Sequence, residues 1–338
     1  LHTDSSVIKL DGEGEISYAL RRVQFDAYLL KKAIEAGATV IRSKVTDVEI
    51  GKDKVTVYSE TKHIRADVVV GAFGLEEGTH KIFERETSYK SPKYLLTILT
   101  KFHPKGQHHD LEDTDGYIHA FLPSLKGIEF GAVTPKADHY TMNIAGAKIS
   151  SRSMDEFLRV PAVLEVLPKN FKASLEKLDY HRGCFPIKPA SHFVGDRYVT
   201  IGDAAGLIRP FKGKGVNSAC LMGIKAAETM MDSGISREAF QTYADSFSEI
   251  IKDLPYAHSV RRFVIWGAHY GFMTPIIQIA KDCPALKKAL FDSVSGKKAY
   301  RKILIDTMSI TLFIKVAITL MRWLIKRIVT FHGRHFLV

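Results

Sequence analysis

Residues Arg197 to Met231 read RYVTIGDAAGLIRPFKGKGVNSACLMGIKAAETMM, and this stretch decides the fold. The β-branched and aromatic run from Tyr198 to Ile201 predicts a short buried strand. Gly202 then lets the backbone come close to a neighbour. Asp203 presents a carboxylate at the strand's end, where open α/β sheets bind their ligands. Ala204, Ala205 and Gly206 leave room, and Pro210, Gly213 and Gly215 shape a loop that feeds a helix from about Val216. Helix N-termini attract negative charge. Ser218, Ala219, Gly223, Ala226 and Ala227 recur at roughly helical spacing, so one helix face is small enough to lie against a sheet or a flat ligand.

GDAAG followed by PFKGKGVNSA resembles the flavoprotein superfamily of para-hydroxybenzoate hydroxylase and the geranylgeranyl reductases. The resemblance implies FAD as cofactor. Gly202 and Asp203 then bind the ribityl chain, while Pro210, Gly213, Gly215, Val216 and Asn217 form the loop that faces the isoalloxazine with its backbone N–H groups. Reduced flavin gathers negative charge near N1 and O2, where amide donors and a helix dipole stabilise it. Lys212 and Lys214 add to that field. A turn that needs its glycines for geometry alone is the bland alternative. It is weak here, because strand, GDAAG, proline, GxG and small-faced helix occur together and in order.

Length and composition bound the class. With 338 residues and 46% hydrophobic content the chain holds one large or two moderate domains. Three cysteines, Cys184, Cys220 and Cys283, show neither CxxC nor Cys/His spacing, so a disulfide framework and a zinc site are both unsupported and a reducing, cytoplasmic setting is the default. The net charge is +11, and residues 297–338 contribute nine Lys or Arg against Asp306 alone, leaving only +3 for the body. The body lacks the basic and aromatic interleaving of a nucleic-acid-binding face.

Four regions are expected in an α/β (α+β) chain: residues 1–90 and 186–250 as two parts of an FAD-binding domain, 91–185 as an antiparallel substrate domain, and 251–338 as a helical C-terminal region. The superfamily opens with a βαβ unit bearing GxGxxG, and the expectation is a chain truncated at its N-terminus, since no such unit stands ahead of LHTDSSVIKLDGEGEISYALRR. Arg22, Phe25 and Asp26 fit the superfamily's R-x-x-F-D pattern, whose arginine approaches the dinucleotide; a solvated charge leading a helix is an equal alternative. Gln24 to Ala36 has helical spacing, and strands are predicted at Thr39–Arg42, Lys44–Ile50 and Lys54–Tyr58. Ala66 to Gly74, ADVVVGAFG, is similar to the superfamily's ADVVVGADG with Phe73 in the aspartate's place.

Tyr94–Phe102, Tyr117–Leu122, Ile128–Val133 and Tyr140–Ala145 predict an antiparallel sheet. In the resemblance this sheet lies over the flavin, with its inner face forming the substrate pocket. Phe130 to Lys136 lines up with the geranylgeranyl reductases' YxWxFPK motif, with Ala132 at the tryptophan and Thr134 at the second aromatic. Lys136 reads as a solvated charge, Cys184 as a small buried hydrophobe, and His103, His108, His109, His119 and His139 as scattered histidines without metal-site spacing. Met154–Leu167 is expected as a helix interrupted at Pro161, with helices again at Arg237–Lys252 and within Arg261–Ala280, the latter capping the substrate domain.

Ile303 to Val329 is apolar but cut by charges, too many for a spanning helix. Lys315, Arg322 and Lys326 share one face, opposite Phe313, Ala317, Leu320 and Leu324, with Trp323 at the boundary. The pattern fits a peripheral helix on the inner face of a membrane and, equally, a helix docked on its own protein. The function expected from the resemblance is an FAD-dependent oxidoreductase delivering hydride to a C=C bond of a small hydrophobic, prenyl- or lipid-like substrate, with NAD(P)H as donor. A flavin monooxygenase using NAD(P)H and O2, and a non-catalytic membrane-associated binding protein or inactive fragment, are the alternatives.

Overall fold

The computed structural model describes residues 1–11, 21–104, 116–136, 138–169, 171, 175, 178–209, 215–296, 298–307 and 309–333, with side chains in the last helix as far as residue 325. The chain enters through helix α1 (Arg22–Glu35) and an antiparallel meander of β1 (Val45–Ile50), β2 (Val55–Ser59) and β3 (His63–Ala66), followed by the short β4 (Val69–Gly71). Helix α2 (Glu77–Glu86) begins where the Glu76 carboxylate accepts the N–H groups of Gly78 at 3.0 Å and Thr79 at 2.6 Å. That cap satisfies two of the donors a helix start leaves open. Thr39–Arg42 forms no strand: Val40 and Ile41 are exposed and no strand among the described residues pairs with them. The short β3, unmarked by its sequence, pairs with β2 instead.

The next body is a five-stranded antiparallel sheet, ordered β6-β7-β8-β5-β9. Its strands are β5 (Tyr94–Phe102), β6 (His119–Phe121), β7 (Phe130–Pro135), β8 (Tyr140–Gly146) and β9 (His181–Pro186). Cross-strand register decides what each face carries. Ile98 opposes Ile144, Thr100 opposes Met142 and Met142 opposes Val133, and these side chains form one buried face. Helices α3 (Ser151–Leu158) and α4 (Pro161–Leu164), split at Pro161 as the sequence predicts, cover that face with Phe157, Leu158 and Val163. Each such buried side chain contributes about 1.5–3 kcal/mol. The alternate positions Leu99, Ala132, Thr134 and Asn143 lie on the other face and are only half-buried.

The chain then returns to the first body. Strand β11 (Tyr198–Thr200) runs parallel to β4, pairing Tyr198 with Val69 and Thr200 with Gly71, while β10 (Val194–Gly195) pairs antiparallel on its other side. Helices α5 (Gly215–Asp232) and α6 (Arg237–Asp245) pack there, and Met222, Ala226, Phe240 and Tyr243 join Val199, Phe83 and Tyr89 in one core. β4 is the last strand of its sheet among the described residues, and α1 buries none of its side chains. A cleft of 380 Å³ lined by Val45, Val57, Val70 and Phe73 runs beside β4; Asp203 does not line it.

The C-terminal region is helical: α7 (Ser248–Tyr270), α8 (Met273–Lys281), α9 (Pro284–Ser295), α10 (Tyr300–Thr307) and α11 (Ile310–Gly333). Helices α7 and α8 pack at one end of the five-stranded sheet. Arg261 meets Glu129 through two hydrogen bonds of 2.8 and 2.5 Å, and Phe130 packs with Leu122, Ala268 and Met273. Asp253, buried in α7, accepts the N–H groups of Tyr300 at 2.9 Å and Arg301 at 2.8 Å and so starts α10. Arg209, next to the loop after β11, donates to the carbonyls of Gly296 and Lys298 and lies 3.8 Å from Asp253. Helix α11 packs on α8, and α10 and α11 meet at a bend of 89°. No single helix among the described residues is long and apolar enough to cross a membrane.

Candidate functional site: the turn after β11

The turn is fixed from several sides. Ile201 donates its N–H to Gly71 at 3.0 Å, ending the parallel pairing with β4. Gly202 then takes φ 61°, in the left-handed region that suits glycine, and the amides of Ala205 and Gly206 both close on its carbonyl at 3.1 Å. At Gly206, with φ 67°, a Cβ would lie 2.7 Å from Pro92 and 2.9 Å from the Lys188 carbonyl, so only glycine fits. Two buried phenols complete the frame. Tyr89 donates to the Ala204 carbonyl at 2.7 Å and Tyr243 to the Thr200 carbonyl at 3.2 Å. Burial pushes both phenols far up, so they remain donors.

Asp203 stands in this frame half-buried and accepts no hydrogen bond from a described residue. Burial raises its carboxyl above the usual range, and the Arg22 guanidinium offsets part of the rise. The start of α5 abuts the same carboxylate: a Cβ on Gly215 would lie 3.2 Å from Asp203 Oδ1. Val216 is half-buried and Asn217 exposed on that first helical turn. An acceptor that takes no hydrogen bond from a described residue and a helix start thus share one site. The small helix face is partly as expected. Ala219 lies against Gly202 and Ala226 is buried, but Ala227 turns outward.

Several sequence expectations are relocated. Arg22 forms a 2.6 Å ion pair with Asp26 on exposed α1, and its charge offsets part of the burial that raises the Asp203 carboxyl. Pro210, Lys212, Gly213 and Lys214 lie outside the described residues. Cys184 is exposed on β9 rather than buried, and the Asp203 charge adds to desolvation in pushing its thiol up. Lys136 is half-buried rather than freely solvated, its ammonium disfavoured by burial and by Lys101. Phe73, in the aspartate's place, packs against Phe83 and Tyr89 with ring centres 4.8 and 6.0 Å away.

The histidines are less scattered than their spacing suggests. His2 and His119 meet at 3.0 Å, and His103, Asp138 and His139 offer ligand atoms within 4.8 Å of one another. Arg21 already pairs with Asp138 at 3.2 Å, and Lys136 and His103 set positive charge beside His139, which argues against a cation there. Sequence reasoning missed Tyr89, Tyr243 and Arg209: the two tyrosines brace the turn, and Arg209 ties the loop after it to Gly296 and Lys298. Their only sequence signal is polarity among apolar neighbours.

The residues present fit the ribityl and ring end of FAD, since Asp203 lacks an acceptor's partner and the α5 start lies beside it. No glycine-rich cradle for the ADP half occurs among the described residues. The fold is that of FAD-binding, Rossmann-type flavoproteins: a flavoprotein/dehydrogenase from Cytophaga hutchinsonii superposes with a TM-score of 0.62 at 16% identity, covering 90% of this chain and 76% of that one. No family model matches. Within that class the relatives the chain resembles in sequence are named as geranylgeranyl-type reductases. The chain is 28% identical over 247 residues to the digeranylgeranylglycerophospholipid reductase of Methanoculleus marisnigri, covering 68% of this chain and 58% of the relative. It is 24% identical over 262 residues to digeranylgeranylglycerophospholipid reductase 2 of Methanosphaera stadtmanae, covering 73% and 63%. The chain thus spans about six tenths of the length of the curated relatives it matches.

Proposed function

We propose that the chain is the larger part of an FAD-dependent oxidoreductase that reduces a C=C bond of a hydrophobic, prenyl- or lipid-like substrate, with NAD(P)H as donor. The observation that carries this is Asp203, a half-buried carboxylate that accepts no hydrogen bond from a described residue and lies against the α5 start. When bound, FAD supplies the hydride. Asp203 accepts hydrogen bonds from the ribityl hydroxyls. The α5 N-terminus, with Gly215 and Val216, favours negative charge at the ring's pyrimidine edge. The half-buried sheet face with Leu99, Ala132 and Thr134 orients the substrate and excludes water. A peripheral place on the inner face of a membrane, held by residues 297–338, suits such a substrate.

The test is an absorbance spectrum of the purified chain beside one carrying a glycine-rich βαβ unit fused ahead of residue 1. Flavin bands in either form support the reading; their absence from both overturns it. Asp203→Ala in the form that binds should weaken flavin retention by about tenfold or more, as loss of a charged acceptor does. NAD(P)H oxidation in the presence of a polyprenyl substrate then separates the chemistries. Oxygen uptake coupled to it would identify a monooxygenase in place of a reductase.

A further inference from the structure

Helix α11 is two-sided in a way its sequence alone does not settle. Leu320 and the half-buried Trp323 turn inward, Leu320 joining the cluster of Met273 and Ile276, and Trp323 standing 6.4 Å from the Phe272 ring. The opposite side carries a row of bare apolar side chains. Ile310 is 82% exposed, Phe313 74% and Met321 63%, with Ile314, Ile318 and Leu324 beside them. By 3.6 residues per turn these fall in one sector of about 140°, running for about 20 Å along the helix. Lys315 and Arg322, both exposed, stand along one edge of that sector.

A second exposed row lies on α7. Phe263, Trp266 and Tyr270 on α7 recur at i, i+3 and i+7 and are all exposed, with Arg262 and His269 exposed among them. Phe272 bridges the two helices, its ring 5.5 Å from Phe263 and 6.4 Å from the inward Trp323. Exposed rings beside an apolar row with cationic edges are the side chains that settle at a bilayer's headgroup boundary.

We propose that the outer faces of α11 and α7 together form the docking surface for an anionic lipid bilayer. The surface is wider than the 297–338 tail, since α7 supplies its aromatic half. It rests on the proposed function only for the reason a lipid-borne substrate needs it. Lipid is favoured over a second copy by charge: residues 297–338 hold nine Lys or Arg and one acid, so two copies meeting there repel, whereas anionic headgroups match the cationic edge and acyl chains match the apolar row.

The experiment is cosedimentation of the full chain with vesicles of equal parts phosphatidylglycerol and phosphatidylcholine, and with phosphatidylcholine alone. The expected result is binding to the anionic vesicles, reduced about tenfold or more by Ile314→Glu/Met321→Glu and, separately, by Phe263→Glu/Trp266→Glu, with circular-dichroism melts confirming folding. Lys315→Glu/Arg322→Glu should remove the preference for anionic over neutral vesicles. No binding by the unaltered chain, equal binding by the glutamate variants, or a dimer that those variants dissociate while vesicles have no effect would overturn the proposal. Vesicle binding is read without flavin, so its failure and a failure to bind flavin are separate results.

Discussion

At Asp203 function and stability pull in opposite directions. Its carboxyl is raised in the folded chain by burial, so folding favours its protonated form, and the folded state loses stability as pH climbs through the unfolded and then the folded value. Asp203→Asn should therefore stabilise the flavin-free chain at neutral pH and leave it unchanged at strongly acid pH, read from thermal melts across pH. Glu76 has the opposite sign. Hydrogen bonds from Thr79 and Gly78 hold its carboxyl down to about 2, so its stabilisation is complete above the ordinary glutamate range and lost as pH falls through about 2. Glu76→Ala should melt earlier than the parent at pH 7, and the gap should close toward pH 2. Tyr89→Phe removes the only described partner of the buried Ala204 carbonyl. It should cost about 1–2 kcal/mol in denaturant unfolding and weaken flavin retention without any contact to flavin.

At the scale of elements, the legible parts of the sequence were those with strong period or punctuation. Tyr94–Phe102 alternates and is a strand to the residue, and Pro161 splits its helix as expected. The GD turn was legible because glycine and aspartate have local meanings that survive any context. What was not legible depended on partners far along the chain. Thr39–Arg42 has strand composition but no neighbour to pair with, whereas β3 has little strand composition and one neighbour ready. Leu320 follows the apolar row of α11 in sequence yet turns inward, because α8 offers it Met273 and Ile276. The start of α10 shows the same dependence on distance. Its cap is Asp253, far back along the chain, and Asp253→Ala should cost about 2–4 kcal/mol by unfolding, since two amides and Arg209 lose a buried acceptor.

For the whole molecule, the two bodies are of unequal completeness. The substrate sheet is filled on one face and capped at one end, so its composition alone announced an antiparallel layer. The other body has β4 as a sheet margin among the described residues, an apolar cleft beside it and α1 with no buried side chain, although its turn after β11 is braced by tyrosines. Sequence reasoning singled out the turn after β11, where short motifs concentrate. It did not find the bracing, which is spread over Tyr89, Tyr243 and Arg209.

Arg209 joins that braced turn to Gly296, Lys298 and the head of α10. The tail is therefore no detachable appendage. A frameshift, a stop codon or a protease cut near residue 297 would leave Asp253 enclosed with nothing to cap and Arg209 with fewer carbonyls to hold, disturbing the flavin turn from a distance. Loss of colour in a shortened chain would then follow from a broken keystone, and only substitutions confined to the outer faces of α7 and α11 can tell lipid attachment from structural support.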